Sequence, residues 1–253
     1  MKKYLLLSVL LATTISLFSC RINLDNNNSD NDSAFSEKKE DGNLLKKEFE
    51  ISDYHKIKQT GVVDIVYEQK ETEEPYLRVE IDSNLMSLVA VNVDGGELSV
   101  GLEERVKLKP TRFVVYTNSK QLSAVSLSGV GRFSADEKVK SDNLNISLSG
   151  TGSVKFKDLE AGRVGARLSG TGSLKLAGIA NDSEFKVSGI GSIKAEDLVV
   201  KNADCRVSGV GSIYIQATDN LEAKVSGAGS VKYKGKAKSI TQSSSGVGRV
   251  RKM

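Results

Sequence analysis

The sequence is poor in the residues on which most catalytic sites and disulfide frameworks depend. Of its 253 residues, one is histidine, two are cysteine, two are proline and none is tryptophan. A catalytic serine needs a base held beside it, so His55 allows at most one such site. After residue 20 no apolar run reaches the roughly 18 residues of a membrane-spanning helix. The sequence therefore predicts no such helix in that region.

The chain also lacks a strong excess of charge. Its formal net charge is +4, and this falls to +2 without Lys2 and Lys3, the only charged residues among the first 20. A nucleic-acid-binding domain usually carries a pronounced basic excess. The balance of charge therefore gives no reason to expect a nucleic acid as partner.

The first 20 residues, MKKYLLLSVLLATTISLFSC, have the pattern of a bacterial secretion signal. Two lysines precede a short apolar stretch, which is too short to span and remain in a membrane. The ending LFSC resembles a lipobox, in which the cysteine is diacylated and becomes the new N-terminus. We predict a lipoprotein signal peptide at residues 1–19 and acylation of Cys20 with palmitate-like chains. These chains would attach the protein to a membrane of the cell envelope, which we expect to be the outer membrane.

Residues 20–47 are rich in Asn, Asp and Ser and poor in large apolar side chains. Such a composition cannot bury enough surface to offset the entropy of ordering the chain. We predict that this segment is a disordered tether between the lipid and a domain at residues 48–252. Once Cys20 is acylated, Cys205 is the one thiol left, and no internal disulfide can form.

A four-residue motif, Ser-Gly-x-Gly, recurs seven times along the C-terminal half. A glycine loop that cradles phosphate is needed once, at the start of one helix, so seven copies argue against that function. The steps between the first glycines are 21, 20, 19, 20, 18 and 19 residues, a spacing typical of solenoids. These glycines are Gly129, Gly150, Gly170, Gly189, Gly209, Gly227 and Gly246.

Apolar and polar residues alternate on both sides of each motif, which is the period of a half-buried strand. Stacked coils would bury the apolar positions in one continuous core. The sequence thus predicts an all-β fold, a β-helix or β-solenoid with two short strands per coil and a second corner between them. The predicted inward columns begin with Phe133, Val154 and Leu174 after the motif and with Leu127, Leu148 and Leu168 before it.

Residues 48–121 lack the glycine period but contain strand-like runs such as VVDIVY and RFVVY. The triplet Asp94-Gly95-Gly96 before ELSV predicts a hairpin turn. We expect this region to cap the first coil of the repeats at 122–252, since a solenoid end exposes core and strand edges.

These features together resemble a known bacterial family. The runs KIKQTGVVDIVYEQ and VNVDGGELSV, followed by tandem LSGTGSVKF-type repeats, are similar to the putative auto-transporter adhesin, head GIN domain. The resemblance implies a β-helical fold and a location in the cell envelope. It implies no catalytic residue and no particular ligand.

The sequence is compatible with three classes of function. The preferred one is a non-catalytic, adhesin-like binding or structural lipoprotein, and the alternatives are a polysaccharide-active β-helix enzyme and an envelope signalling or stress scaffold. Acidic residues do not gather at one place on the coil, as acid/base catalysis would need. Calcium-binding solenoids place an aspartate where this chain has Phe133, Val154 and Leu174. We therefore expect no catalytic residue, no metal and no cofactor.

The outward charges follow two patterns. One column consists of Arg167, Lys186, Arg206 and Lys224, and the acids Glu184, Asp204 and Glu222 lie two residues earlier on the same face, which predicts a charge-matched surface. Five residues after each first glycine lies a second set, which we call the cationic column. Its expected same-face neighbours do not neutralise it, and they are Lys157, Ala177, Glu196, Gln216 and Lys234. A binding site for an acidic polysaccharide or lipopolysaccharide phosphate is one interpretation, and a solvated face is the other. The column comprises Lys155, Lys175, Lys194, Tyr214, Lys232 and Arg251.

Overall fold

The computed structural model describes residues 41–103 and 110–253, so the predicted leader and Cys20 lie outside the described residues. The described chain is almost entirely β-structure, wound into a β-solenoid of about six turns. The fold class predicted from the glycine period is therefore confirmed.

Eight strands and one 3-10 helix precede the regular coils and form a cap. The elements are β1 (Leu44–Glu50), β2 (Lys56–Gln59), β3 (Asp64–Gln69), β4 (Tyr76–Asp82), the 3-10 helix Ser83–Leu88, β5 (Val89–Asp94), β6 (Glu97–Leu102), β7 (Phe113–Ser119) and β8 (Ala124–Leu127). Strands β1 and β4 pair antiparallel, as do β4 and β7, whereas β2 lies parallel between β6 and β8.

Two details of the cap bear on the sequence predictions. Gly95 and Gly96 join β5 to β6 with φ angles of 54° and 73°, the left-handed values that a two-residue hairpin turn requires. The predicted hairpin is therefore present. Strand β1 begins at Leu44, so its first residues lie within the segment that composition assigned to the tether. They are held there by antiparallel pairing with β4.

The coils that follow are stacked in parallel and in register. The strands are β9 (Val130–Leu148), β10 (Thr151–Leu168), β11 (Thr171–Val187), β12 (Ile190–Val207), β13 (Val210–Val225), β14 (Ser230–Lys234), β15 (Ser239–Ser244) and β16 (Arg249–Lys252). Equivalent glycines are direct neighbours, as Gly152 and Gly172 are in the β10–β11 pair. One sheet runs through the whole domain in the order β1-β4-β7-β3-β9-β10-β11-β12-β13-β14-β16.

The prediction of two separate short strands per coil was wrong. Each coil from β9 to β13 is one strand that bends at its second corner, where the pairing register shifts, as between Phe156 and Leu159. The ladder of backbone hydrogen bonds resumes directly after the bulge. A bulge can therefore turn a strand without the break that a loop would introduce.

The core is a stack of the predicted inward columns. Phe133 and Phe156 are both about 1% exposed, and their rings lie 5.3 Å apart. Tyr67 of the cap stacks on Phe133 with ring centroids 5.9 Å apart, so the cap and the coils share one aromatic cluster. Cys205 is also fully buried, in the column that contains Phe185.

Glycine recurs at the first corner because the backbones of successive coils nearly touch there. A Cβ atom on Gly150 would lie 1.9 Å from the carbonyl oxygen of Gly129, and one on Gly170 would lie 2.0 Å from that of Gly150. No side chain fits at such distances. The same contact recurs at the corners from Gly129 to Gly227, so each of these coils needs the glycine.

Candidate functional site

Strand pairing brings the members of the cationic column side by side. Lys155 is the direct neighbour of Lys175, and Lys175 is the neighbour of Lys194. Tyr214, Lys232 and Arg251 continue the same line through β13, β14 and β16. Neighbouring parallel strands lie about 4.8 Å apart, so the side chains form a regular line along one outer face.

The cap extends this line beyond the residues that the repeat pattern predicted. Ser134 pairs with Val66, Val66 with Tyr116, and Tyr116 with Arg78. The guanidinium carbon of Arg78 lies 4.7 Å from the ring centroid of Tyr116. Sequence reasoning missed Arg78 and Tyr116 because they lie outside the glycine period, in strands whose order in the sheet differs from their order in the chain.

The charge of the column is not uniform along its length. Asp136, on the coil before Lys155, lies 3.4 Å from the Lys155 Nζ and 3.0 Å from the Lys157 Nζ. The hydrogen bond from Lys157, assisted by Lys155, holds the pKa of Asp136 below its ordinary value. The expectation that no acid neutralises the column was therefore wrong at Lys155. It overlooked that an acid on one coil can pair with cations on the next.

Farther along, the column carries positive charge without a matching acid. Lys175 and Lys194 are exposed, and neither forms an ion pair with any residue that the structure describes. Beside them runs a line of serines, in which the hydroxyls of Ser212 and Ser230 are 2.9 Å apart. Cations flanked by hydroxyl groups can offer an anionic ligand both charge and hydrogen bonds.

A different face of the coil is charge-matched at Lys186, Arg206 and Lys224, as predicted. Glu184 pairs with Lys186 and, at 2.7 Å, with Arg163. Arg206 and Asp204 are 2.6 Å apart, and Lys224 pairs with Glu222 in the same manner. Hydrogen bonds from Lys186, then Arg163, lower the pKa of Glu184. Arg167, the first cation of this face, forms no ion pair with any residue that the structure describes.

Other residues with reactive or polar side chains serve the fold. The ring of His55 lies against the hairpin turn, where a Cβ on Gly96 would be 2.4 Å from it. In the cap, the hydroxyls of Tyr67 and Ser119 are 2.9 Å apart, and burial raises the pKa of Tyr67 to about 12. Burial likewise raises the pKa of the Cys205 thiol, which suppresses the reactive thiolate.

Within residues 41–103 and 110–253, no three His, Cys, Asp or Glu side chains come close enough together to bind a metal ion. In the same part of the chain, no helix is long and apolar enough to cross a bilayer. Cys20, the predicted lipidation site, lies outside the described residues.

The fold and this surface define a class of protein: a β-solenoid with a capped N-terminal end and a line of cations along one face of its coils. Residues 53–237 match the model of the putative auto-transporter adhesin, head GIN domain. The chain belongs to this family, as its sequence motifs indicated.

Solved structures of similar proteins have the same fold. A putative adhesin from Bacteroides fragilis is 27% identical, with a TM-score of 0.83, and the match covers 85% of this chain and 100% of that chain. A putative adhesin from Parabacteroides merdae is 30% identical, with a TM-score of 0.67 and coverage of 85% and 98%. A putative lipid binding protein from Parabacteroides distasonis is 28% identical, with a TM-score of 0.67 and coverage of 85% and 99%. No curated protein matches this chain.

Proposed function

We propose that this protein is an adhesin-like, non-catalytic binding module of the cell envelope whose cationic column binds an extended anionic polymer. The observation that carries the proposal is the in-register line of Lys155, Lys175 and Lys194, of which the last two have no acidic partner among the described residues. A polymer with regularly spaced negative groups can contact several coils at once. Weak contacts of this kind add up along the column.

The family and the adhesins among its solved relatives support a binding role at the cell surface or envelope. We further propose that acyl chains on Cys20 attach the protein to a membrane, most simply the outer membrane of a diderm bacterium. Lipid A phosphates and acidic polysaccharides both present negatively charged groups, which the column would bind. They differ in whether the anion belongs to the bacterium's own membrane or to a separate polymer.

The proposal is tested with the chain from residue 21 onward, which retains every described strand. Binding to heparin, polygalacturonate and lipopolysaccharide is measured by surface plasmon resonance over a series of salt concentrations, with neutral dextran as the negative control. Binding to one or more anionic ligands should weaken steeply with added salt, since exposed charges are screened. Release of shortened polymer would instead indicate the polysaccharide-active enzyme, and absence of all binding would favour a scaffold.

The decisive variant is Lys175→Glu with Lys194→Glu. It should weaken binding by about tenfold or more at 0.1 M salt, because two cations of the column become repulsive. The matched control is Lys140→Glu with Lys201→Glu, which makes the same change of charge at two exposed lysines on another face. Equal loss in both variants would show that only net charge matters, and the column would then have no special role.

A further inference from the structure

Both terminal strands of the long sheet have one unused edge. Strand β1 pairs only with β4, and β16 pairs only with β14, among the residues that the structure describes. Each therefore presents a row of backbone N–H and C=O groups to solvent. Such edges are ready to pair with another strand unless side chains prevent it.

The two edges have compatible strand directions. Strand β1 is antiparallel to β4, and β4 is antiparallel to β7, so β1 runs in the direction of β7. From β7 through β3 and the coils to β16, every pairing is parallel. If a second copy lay end to end with the first, its β1 would meet β16 in the parallel arrangement that already joins the coils.

The charges on the two edges are opposite where they would meet. Glu48 is the direct neighbour of Arg78, so Glu48 and Glu50 lie on the side of the sheet that carries the cationic column. Arg251 ends that column, and Arg249 lies on the same side of β16. One parallel register sets Glu48 beside Arg249 and Glu50 beside Arg251. Pairing of β16 with a second β16 would instead bring only cations together, which disfavours the symmetric contact.

Both ends also expose apolar side chains. At the β1 end, Leu44 is 48% and Leu45 is 43% exposed. At the β16 end, Val247 is 80%, Met253 is 51% and Ile240 is 41% exposed. Lys46 of β1 does not oppose the contact, because Glu80 of the cap holds its ammonium group at 3.5 Å. Burial of the apolar groups would add a hydrophobic contribution to the backbone pairing.

We propose that copies of this chain associate head to tail, with β16 of one copy pairing in parallel with β1 of the next. The contact is heterologous, since the two surfaces differ, and it repeats without closing unless the rotation between copies forms a ring. The assembly would continue one sheet, and with it the cationic column, from copy to copy. This association does not depend on the ligand proposed above.

Two charge-reversed variants test the proposal. One carries Arg249→Glu with Arg251→Glu, and the other carries Glu48→Lys with Glu50→Lys. The chain from residue 21 onward is studied by sedimentation velocity over a range of concentrations, without ligand. The unmodified chain should form larger species as its concentration rises. Each variant alone should stay monomeric, because its two edges then carry like charges.

An equimolar mixture of the two variants should assemble again, since each edge of one variant is complementary to an edge of the other. The proposal is overturned if the unmodified chain is monomeric throughout, if either variant assembles alone, or if the folded variants fail to assemble when mixed. Circular dichroism checks the folding of each variant.

A cysteine pair provides a second measurement that does not require charge reversal. Glu50→Cys and Arg251→Cys in one chain should form disulfides between copies under oxidising conditions, because neighbouring parallel strands place Cα atoms within the range for a disulfide. Cys205 is buried and should not interfere. The pair Glu50→Cys and Lys201→Cys is the control. Equal crosslinking in both pairs, or none in the first, would contradict the proposed contact.

Discussion

The ammonium group of Lys232 lies 4.6 Å from the ring centroid of Tyr214 and 3.0 Å from its hydroxyl oxygen. Tyr214 occupies the one position between Lys155 and Arg251 where the cationic column has no positive charge. The next coil supplies a cation that rests over the ring. The Arg78–Tyr116 contact in the cap repeats this pairing of a cation with a tyrosine on the adjacent strand. Such contacts hold long basic side chains in place along the face.

Replacing Asp136 by asparagine should strengthen the binding of a sulfated polymer. The change frees Lys155 and Lys157, which Asp136 now holds. We expect a few-fold gain in affinity at pH 7, about the size of an exposed ion pair, measured by surface plasmon resonance with heparin. The control is Asp142→Asn, which removes an exposed acid from another face. Equal gains in both variants would attribute the effect to net charge.

The ionisation of Asp136 determines how the binding of heparin should depend on pH. The lysines lower the pKa of Asp136 below its ordinary value of 3.8, so the ion pair persists above that pH and is lost as pH falls through the lowered pKa. Sulfate groups stay charged over this range. Heparin affinity of the unmodified chain should thus rise toward that of Asp136→Asn only in strong acid. If the difference in affinity between the two proteins already disappears between pH 7 and pH 5, the assignment is contradicted.

Phe156→Ala should destabilise the domain by about 3–5 kcal/mol, because it removes a buried ring and leaves a cavity beside Phe133. The free energy of unfolding is obtained from urea titration followed by circular dichroism. Asp158→Ala, at an exposed position nearby, should change it by less than about 0.5 kcal/mol. A small effect of Phe156→Ala would mean that this column does not face the core.

Gly170→Ala should destabilise the domain although alanine is only one methyl group larger. The new Cβ would lie 2.0 Å from the Gly150 carbonyl oxygen, so two coils would have to separate, at a cost of about 1–3 kcal/mol or more. Ser169→Ala is the control, since this neighbouring side chain is exposed. Thermal unfolding of both variants compares them, and equal midpoints would rule out the close contact.

Cys205 should react with a thiol reagent only when the domain unfolds. The side chain is fully buried, and burial raises the pKa of its thiol, so little thiolate forms at neutral pH. Labelling by Ellman's reagent should be slow in native buffer and complete in 6 M guanidinium. Fast labelling of the native chain from residue 21 onward would reverse the inward and outward faces of β12.

Cys20→Ala should abolish attachment to lipid. If the acyl chains are the anchor, the unmodified protein expressed in a diderm bacterium should enter the detergent-rich phase of Triton X-114, whereas the variant should remain unprocessed or leave that phase. Metabolic labelling with an alkyne fatty acid provides the direct measurement. Identical processing and partition of both proteins would argue against acylation at this residue.

The repeats made much of the fold predictable from the sequence. A glycine period near 20 and the alternation around Phe133 and Val154 follow from backbone contact and burial, which successive coils repeat. The second corner was predicted less well. The bulge after Phe156 contains no glycine or proline, although the next coil has Gly178 at this corner, so the alternation suggested a break where the strand only bends.

The candidate site was predictable only where it follows the period. Lys175 and Lys194 were found because equivalent positions of successive coils are neighbours. Arg78 and Tyr116 were not found, because nothing in the sequence specifies that β4 and β7 join the same sheet beside β3. The ion pair of Asp136 with Lys155 likewise depends on how side chains reach between coils, which the alternation of residues does not specify.

Because successive coils share the same glycine corner, the solenoid can be shortened or lengthened by one whole coil. Excision of the 19 residues from Gly170 to Ser188 would place Gly189 where Gly170 stood, against the same carbonyl of Gly150. The shortened chain would keep its cap and its last strands, and it would lose a single member of the column, Lys175. Duplication of a coil would add one. Related genes could therefore change the length of this surface and its number of charges by changing their repeat number, because the glycine corner stays the same.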